Sequence, residues 1–515
     1  MRIFLLAAFV IPGLAIAQNP SPTFCAEGPH RFSPGAGDWN GWGVDTINSR
    51  FQPQPDIAAE DVPKLKLKWA FGFPGEVRTQ SQAVIVGGRI FVGTTAGTVY
   101  SLDAATGCTY WTYEAGAFVK SAISIVRLEK QERWTAFFGD GRGYMHAVDA
   151  QTGQVVWKVQ VEEHPAARIT GSPIYYKGRL IVPVASGEET LQSSPKYECC
   201  TFRGSLSAMD AKTGRFVWKT FTVPDPAKPY KTNAEGTKLY GPAGAGIWSA
   251  PTIDEKRKRI YVGTGNSYTG VSMPTSDAIL AFDLESGSLL WSQQVTPGDN
   301  WIPGCPKSVN CPENPGDDYD FGSSPVLRTG AGGKQVLVAA QKSGVVYGLD
   351  PDARGKILWK TRIGVGNGML GGVGWGPAFD GQVAYAAVAD INRPQGTPGL
   401  YALKVEDGGL VWSTPAPQGA GIRAQAAAVS AIPGVAFSGS FGGHLRAYST
   451  KTGEILWDFD ALKEFDTVNH VAAKGGSFDG GGPAIAHGLV VTNCGYGFGG
   501  GIAGNVLLVF SVDGK

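Results

Sequence analysis

A short phrase that ends in tryptophan recurs along the chain and constrains its fold more than any other feature. It reads apolar-Asp-x-x-Thr-Gly-x-x-x-Trp, and the clearest copies are SLDAATGCTYW, AVDAQTGQVVW, AMDAKTGRFVW and AFDLESGSLLW. These copies, three weaker ones and the turnless segment KLKLKW end in turn at Trp111, Trp157, Trp218, Trp291, Trp359, Trp412, Trp457 and Trp69. Such a repeat indicates structural units that stack around one shared core.

Each copy of the phrase describes a strand, a tight turn and a second strand. In the first copy, Asp103 can bond to the turn backbone and Gly107 can adopt a positive φ. Further alternating apolar runs lie upstream, such as RIFVGTTAGTVYSLD, which gives four short strands in each unit. Four strands in about 40–50 residues are typical of a propeller blade. We therefore predict an all-β fold, an eight-bladed β-propeller, whose ring closes between the segment before Trp69 and the C-terminal VLLVFSV.

The tryptophans are unevenly spaced, and the spacing predicts where ligands bind. Successive intervals from Trp69 to Trp457 are 42, 46, 61, 73, 68, 53 and 45 residues. The longer central intervals predict insertions in the middle blades. Because loops on a rigid scaffold tend to carry binding residues, we expect the functional site beside these insertions.

The N-terminus reads MRIFLLAAFVIPGLAIAQ, with a basic start, an apolar run and a small-x-small end. This pattern predicts a signal peptide over residues 1–17, with residues 18–515 forming a single propeller that is exported to the periplasm. No other apolar run is long enough for a transmembrane helix. The formal net charge of +1 gives no electrostatic case for binding nucleic acid or an anionic membrane.

Seven cysteines in an exported chain favour disulfides, and an odd number leaves at least one thiol free. Cys305 and Cys311 are close enough in sequence to close a small loop, and Cys199 and Cys200 are adjacent. The pairing of the remaining three is open; they are Cys25, Cys108 and Cys494. No C-x-x-C-H haem attachment motif occurs, so we expect any electron acceptor to be a separate molecule.

The tryptophan phrase resembles the docking motif of the pyrroloquinoline quinone (PQQ) dehydrogenases, and the resemblance covers essentially the whole mature chain. GDWNGWGVDTINSRFQP followed by KLKLKWAF resembles the N-terminal entry of that family. CCTFRGSLSAMDAKTG and GNVLLVF look most like the polyvinyl alcohol dehydrogenase branch. The resemblance implies two cofactors, PQQ and a hard cation that is Ca²⁺ or a lanthanide.

PQQ is planar, so the family encloses it between flat surfaces. The resemblance implies that a vicinal disulfide between Cys199 and Cys200 forms one plate and that Trp248, in GIWSAPTID, stacks on the opposite face. Methanol dehydrogenases carry their cysteine pair in an earlier blade, however. The alternatives are two unpaired or separately paired cysteines, and a Trp248 that is an ordinary core residue.

The cation needs several oxygen ligands. Asn266, in YVGTGNSYTG, matches the family's asparagine ligand, and the glutamate ligand should lie in VASGEE. An ungapped alignment points to Glu188, whereas the Ser-Gly-x-Glu phrase points to Glu189. Because side chains alternate along a strand, we expect only one of the two to face the site, and we favour Glu188.

The catalytic base should lie in DDYDFGSSPVL, which follows the insertion WIPGCPKSVNCPENPG. Asp318 matches the family's catalytic aspartate, and we favour it as the base. Asp320 lies two residues further on and faces the same side, as in lanthanide-using relatives, so it is a metal ligand or the alternative base.

The family places basic and polar groups around the edge of PQQ. Lys342, in AAQKSGVVYGLD, matches the lysine or arginine beside the reactive carbonyl, and Lys120 matches an arginine. Thr170 matches a threonine, and Gln80 stands where relatives carry a glutamate. Trp375, in GGVGWGPA, is expected to line the same pocket.

These residues together imply an alcohol dehydrogenase that acts on a small-molecule or polymeric alcohol, with a bulky secondary alcohol favoured. In this mechanism Asp318 removes the hydroxyl proton, hydride passes to PQQ, and Lys342 stabilises the developing oxyanion. The electrons then pass to an external acceptor such as cytochrome c. The alternatives are a sugar dehydrogenase with the same cofactor and a non-catalytic scaffold propeller of the cell envelope.

Overall fold

The fold is nearly all β and forms a propeller of eight blades, as predicted from the tryptophan repeat. The computed structural model describes residues 23–26, 32–129, 131–366, 370–391, 393–419 and 421–515. The predicted signal peptide, residues 1–17, lies outside these described residues. Within them, no helix has the length and apolar character that crossing a membrane requires.

The chain enters the propeller through a 3₁₀ turn at Ala59–Lys64 and strand β1 (Leu65–Gly72). The first blade consists of β2 (Val84–Val86), β3 (Arg89–Gly93), β4 (Thr98–Asp103) and β5 (Thr109–Glu114). The second consists of β6 (Ser124–Arg127), β7 (Trp134–Gly139), β8 (Tyr144–Asp149) and β9 (Val155–Gln160).

The third and fourth blades carry the first insertions. The third consists of β10 (Ala167–Arg168), β11 (Ile174–Tyr176), β12 (Arg179–Ser186), β13 (Ser205–Asp210) and β14 (Phe216–Phe221), with a helical turn α1 (Glu188–Leu191) after β12. A separate hairpin follows, made of β15 (Lys228–Thr232) and β16 (Lys238–Gly241). The fourth blade consists of β17 (Thr252–Asp254), β18 (Arg259–Gly263), β19 (Ala278–Asp283) and β20 (Leu289–Gln294).

The next three blades repeat the same antiparallel order. The fifth consists of β21 (Val326–Thr329), β22 (Gln335–Ala340), β23 (Val345–Asp350) and β24 (Lys356–Arg362). The sixth consists of β25 (Ala378–Asp380), β26 (Val383–Val388), β27 (Gly399–Lys404) and β28 (Leu410–Pro415). The seventh consists of β29 (Ser430–Ile432), β30 (Val435–Gly439), β31 (His444–Ser449) and β32 (Ile455–Asp460).

The eighth blade joins the two ends of the propeller. After a short hairpin of β33 (Glu464–Phe465) and β34 (Ala473–Lys474), the chain forms β35 (Ala484–Ala486), β36 (Leu489–Cys494) and β37 (Val506–Val512). Strand β1 then completes this sheet by pairing antiparallel with β37, from Leu65 opposite Val512 to Gly72 opposite Val506. The N-terminal strand therefore closes the ring, as the sequence predicts.

The repeated tryptophans join each blade to the next. The Trp111 indole donates a hydrogen bond to the Ala150 carbonyl at 3.1 Å and packs against Gly153 in the turn of the second blade. Comparable indole-to-carbonyl bonds are made by Trp69, Trp157, Trp359, Trp412 and Trp457. The turn glycine of the phrase thus serves two purposes: it permits a positive φ and leaves room for the neighbouring indole.

The segment between Trp39 and Phe51 crosses one end of the propeller and contacts the innermost strands of several blades. Its contacts include bridges from Trp39 to Ile85 and from Phe51 to Ala431, and hydrogen bonds from Asn48 Nδ2 to Pro251 O and from Phe379 N to Ser49 O. The central channel is therefore covered by the protein's own N-terminal chain at this end.

Three disulfides link six of the seven cysteines, and all seven lie in described parts of the chain. They join Cys25 to Cys108, Cys199 to Cys200 and Cys305 to Cys311, and Cys494 is free and buried. The predicted vicinal pair, the predicted small loop and one free thiol are thus confirmed. The small loop is anchored by Asn310, whose Nδ2 donates to the carbonyl of Gln192 at 2.8 Å.

Candidate active site

A cavity of about 220 Å³ lies where the segments leading into the innermost strands converge. Eight of the residues selected from the sequence line it: Lys120, Thr170, Glu189, Trp248, Asn266, Asp320, Lys342 and Trp375. Several occupy equivalent positions, since each lies a few residues before the innermost strand of its blade. Propeller symmetry therefore brings residues that are far apart in sequence to one point.

Lys342 holds one end of the cavity through two carboxylates. Its Nζ donates to Asp318 Oδ1 at 2.6 Å and to Asp320 Oδ2 at 3.2 Å. Burial disfavours the charge of this ammonium group, but Asp318 and Asp320 outweigh that effect and raise the pKa of Lys342. Lys342 is therefore a permanent cation at neutral pH.

The two aspartates, Asp318 and Asp320, differ in their position relative to the cavity. Asp320 lines the cavity, and its Oδ1 accepts the amide of Asn266 at 2.8 Å. Asp318 is only 2% exposed and contacts Lys342 without lining the cavity. The carboxylate of Asp299 accepts the amides of Asp318 and Tyr319 and so fixes this turn. The favoured base, Asp318, therefore lies behind the lysine, and Asp320 is the carboxylate that faces the cavity.

The two adjacent glutamates, Glu188 and Glu189, also differ in their position relative to the cavity. Strand β12 ends at Ser186, so both glutamates lie on the turn α1 rather than on an alternating strand. The buried Glu188 carboxylate accepts the amides of Thr201 and Phe202 at 2.9 and 2.8 Å. The Glu188 carboxylate is therefore hydrogen-bonded to backbone amides outside the cavity, whereas Glu189 lines the cavity.

Glu189 supplies the observation that best tests whether a cation fits here. Its carboxylate makes no hydrogen bond or ion pair with any described residue. Burial and the negative charge of the nearby Asp320 raise the pKa of Glu189 to about 8. Asn266 donates through Nδ2 to the Trp301 carbonyl at 2.7 Å, which leaves its Oδ1 as the available ligand atom. These oxygen donors suit a hard cation, which would relieve the repulsion between the acids.

The vicinal disulfide is not part of the cavity lining. Cys199 and Cys200 are buried together with Phe202 and Tyr268, and neither cysteine lines the cavity. Tyr268 belongs both to this buried cluster and to the cavity wall. The tyrosine therefore presents a ring to the cavity at this side, and the disulfide lies behind it.

Trp248 lies in the cavity wall, and Trp375 meets it edge to face with ring centroids 5.2 Å apart. The Nζ of Lys120 lies 4.1 Å from the centre of the Trp375 ring, a cation–π contact. Gln80 is displaced from the main cavity and lines a smaller space beneath both indoles, beside Trp42. A planar ligand can therefore lie against indole surfaces with a cation at its edge.

Further cavity residues escaped the sequence reasoning: Arg168, Tyr268, Leu370, Asp479, Tyr496 and Phe498. Arg168 had a usable signal, because it lies two residues before Thr170 and alternate residues of an extended segment face the same side. The carboxylate of Asp479 accepts the amide of Gly480 through Oδ1, and burial raises its pKa to about 7. No motif marked it in the sequence.

Comparisons with known proteins show which family this chain resembles in sequence. The family model described as PQQ, glucose/ethanol/alcohol dehydrogenase, beta-propeller domain, matches residues 39–363, and that of the outer membrane protein assembly factor BamB matches residues 342–475. Polyvinylalcohol dehydrogenase of Pseudomonas sp is 45% identical over 497 residues. The matched region covers 93% of this chain and 77% of the length of that enzyme. The enzyme of the same name from Sphingopyxis sp. (strain 113P3) is 40% identical over 519 residues. This match covers 95% of this chain and 79% of the length of that enzyme.

Solved structures agree on the fold. The crystal structure of quinohemoprotein alcohol dehydrogenase from Comamonas testosteroni superimposes with a TM-score of 0.68 at 20% identity, covering 93% of this chain and 81% of that one. The europium-containing methanol dehydrogenase gives a TM-score of 0.65 at 17% identity, covering 93% and 98%. With a family model that matches more than half of its length and relatives of at least 40% identity, the chain belongs to the PQQ-dependent alcohol dehydrogenases, together with the polyvinylalcohol dehydrogenases.

Proposed function

We propose that this protein oxidises a bulky secondary alcohol, in polymeric or small-molecule form, with PQQ and a bound cation. One observation carries the proposal: a single cavity holds the Lys342 cation with its aspartates, the Trp248 indole and the Glu189 carboxylate, which has no partner in the described part of the chain. A structural propeller has no need of this combination, because an unpaired carboxylate beside other acids destabilises the fold.

Each cofactor has a distinct set of residues in the proposal. Glu189, Asn266 and Asp320 would hold the cation, which is Ca²⁺ or a lanthanide. Trp248 would lie against the ring system of PQQ, and Thr170 and Lys120 would donate to its polar edge. When bound, PQQ accepts a hydride equivalent from the alcohol, and the cation polarises the carbonyl that receives it.

The chain's own residues then manage one proton and one developing charge. Asp320 faces the cavity and would accept the proton of the substrate hydroxyl as general base. Lys342 would donate a charge-assisted hydrogen bond to the oxygen on which negative charge develops. Asp318, which bonds to the same ammonium group, would keep Lys342 charged and oriented.

Two observations support a bulky or polymeric alcohol. Leu370 and Phe498 lie in the cavity lining, and Phe498 is 43% exposed, so the wall presents apolar surface that can contact a hydrocarbon chain. The relatives with 45% and 40% identity are both named polyvinylalcohol dehydrogenase. A polyol chain alternates methylene groups with secondary hydroxyls and matches such a wall.

We also propose that the enzyme works in the periplasm and passes electrons to an external acceptor such as cytochrome c. The three disulfides support an oxidising compartment, as does the N-terminal pattern of a signal peptide. Mass spectrometry of the protein purified from the periplasmic fraction tests the export: the mature chain should begin at Gln18.

The decisive experiment reconstitutes the purified apoprotein with PQQ and either Ca²⁺ or La³⁺ and measures the reduction of an artificial electron acceptor. Secondary alcohols and polyvinyl alcohol oligomers should support turnover at rates above those of primary alcohols and sugars. The variant Glu189→Gln should lose activity at low cation concentration, and the matched variant Glu188→Gln should keep its cation requirement. Faster turnover with sugars would assign the protein to sugar oxidation, and no PQQ-dependent reduction with any substrate would favour a scaffold.

A further inference from the structure

Arg168 is a cavity residue that has no carboxylate partner among the described residues. It lies on β10, two residues before Thr170, and both side chains line the cavity. Its guanidinium group makes no hydrogen bond or ion pair with any of the described residues; its neighbours are the Phe118 ring, whose centre lies 5.7 Å from Cζ, and the Tyr268 hydroxyl. Arginines in folded proteins usually find an acceptor, so this one has an open place for a ligand.

The neighbouring Gly187 leaves the space that Arg168 occupies. A Cβ atom added to Gly187 would lie 2.2 Å from both Cζ and Nη2 of Arg168. The backbone of Gly187 has φ −108°, a conformation that any residue adopts, so the backbone does not require glycine here. The missing side chain at position 187 therefore leaves room for the guanidinium group of Arg168.

Lys120 approaches the same part of the cavity, and the two cations repel each other. The pKa of Lys120 is lowered to about 8: burial and the charge of Arg168 lower it, and Asp479 opposes them. One carboxylate thus faces two cations at this edge, whereas three carboxylates surround Lys342 at the other. The cavity therefore has a cationic edge and an acidic edge.

We propose that Arg168 binds a carboxylate group of the cofactor directly, so that this chain holds one edge of the ligand between two cations, Arg168 and Lys120. The inference rests on the proposed function and goes beyond it by naming a ligand-binding residue. A guanidinium group offers two parallel N–H donors to a carboxylate, which fixes both the position and the plane of a flat acid. The ammonium group of Lys120 supplies charge without that directional constraint.

The test measures cofactor binding without turnover. Apoprotein is titrated with PQQ, and the quenching of tryptophan fluorescence gives a Kd for the wild type, Arg168→Gln and Arg168→Lys. We expect Arg168→Gln to bind roughly 10- to 100-fold more weakly, the range for losing a hydrogen bond to a charged group. Arg168→Lys should recover part of the loss, because it restores the charge but not the paired donors.

A control variant and an uncharged ligand separate this role from a general loss of structure. Arg179→Gln, on the neighbouring strand β12, removes a guanidinium group that is paired with Glu285 outside the cavity, and it should bind PQQ like the wild type. The trimethyl ester of PQQ lacks the carboxylates, so its Kd should be the same for the wild type and Arg168→Gln. The thermal unfolding of each apoprotein checks that the variants fold.

The outcomes separate this inference from the proposed function. If the wild type binds PQQ and Arg168→Gln binds it equally well, Arg168 is not a ligand residue and the proposed function stands. An equal loss of affinity for PQQ and for its trimethyl ester would also overturn the inference, since a contact to carboxylate would then play no part. A wild type that binds no PQQ would remove both proposals.

Discussion

At the scale of single residues, neighbours of the same type divide into different roles because their partners differ. Asp318 and Asp320 both touch Lys342, but only Asp320 also faces the cavity. Glu188 is saturated by backbone amides, and Glu189 has no partner among the described residues. Neither distinction is visible in the letters DDYD or GEE, because it depends on the local backbone: a one-turn helix carries the glutamates and the Asp299 carboxylate fixes the aspartates.

The two aspartates should separate in kinetics. We expect Asp320→Asn to lower kcat by about 10²–10⁴-fold, the usual contribution of a general base, while PQQ still binds. Asp318→Asn should cause a smaller loss, because it removes one of two carboxylates that orient Lys342. Steady-state dye reduction together with fluorescence titration of PQQ measures both effects. Full activity in Asp320→Asn with an inactive Asp318→Asn would return the base to Asp318.

Asp479 makes stability depend on pH in the apoprotein. Its folded-state pKa is about 7, above the ordinary value of 3.8, so the folded state binds a proton more tightly than the unfolded state. Stability from this group is present at about pH 4 and is lost as the pH rises through 7. The side chain of Asp479→Asn cannot titrate. The Tm of this variant minus the Tm of the wild type should therefore increase as the pH rises from 5 to 8. A Tm difference that stays constant over this range would contradict the expected titration.

At the scale of elements, the repeated phrase encodes a joint between blades as well as a turn. Seven of the eight indoles pack on the turn glycine of the following phrase, as Trp111 does on Gly153. The sequence predicts the strand, the turn and the blade from this phrase because all three are local. It does not predict the anchoring of the 305–311 loop on Gln192, because that contact joins two insertions without a repeating pattern.

Two glycine variants can distinguish the energy of the contact between blades from the energy of the turn conformation. Gly153 has φ +76° and an added Cβ would meet the Trp111 ring at 2.8 Å, whereas Gly178 has φ +85° and open space around the same position. Gly178→Ala should lose about 1–2 kcal/mol of stability from backbone conformation alone. Gly153→Ala should lose a further 1–3 kcal/mol, approximately, because the indole must move. Urea unfolding measures both losses, and equal values would show that the indole contact carries no energy of its own.

At the scale of the whole molecule, two non-local features close the ring of blades and link blades on different sides of it. Strand β1 pairs with β37 and joins the chain's two ends in one sheet, which leaves no open edge between the first and last blades. The crossing segment from Trp39 to Phe51 then ties inner strands on different sides of the channel. The number of repeats predicted the ring and its closure, but the crossing segment has no repeated sequence and was identified from the sequence only as a family-like entry.

Arg50 is the residue through which the crossing segment holds the ring. Its side chain is fully buried, with Nε donating to the Val429 carbonyl at 2.7 Å and Nη2 to Ser430 Oγ at 2.8 Å, and its guanidinium group lies 4.7 Å from the centre of the Trp42 ring. Burial lowers the pKa of Arg50 to about 9, so its charge is tolerated only because these acceptors surround it.

Replacing this arginine should weaken the entire propeller at once. Arg50→Met would leave several buried acceptors without donors, so we expect a loss of about 3 kcal/mol or more in the free energy of unfolding. Arg215→Met, at an exposed position in the third blade, should change stability by less than about 0.5 kcal/mol. If the crossing segment ties the blades into one cooperative unit, Arg50→Met should lower a single unfolding transition followed by tryptophan fluorescence. A separate early transition that leaves the main one in place would mean instead that the segment is a removable cover and that the β1–β37 pairing alone holds the ring.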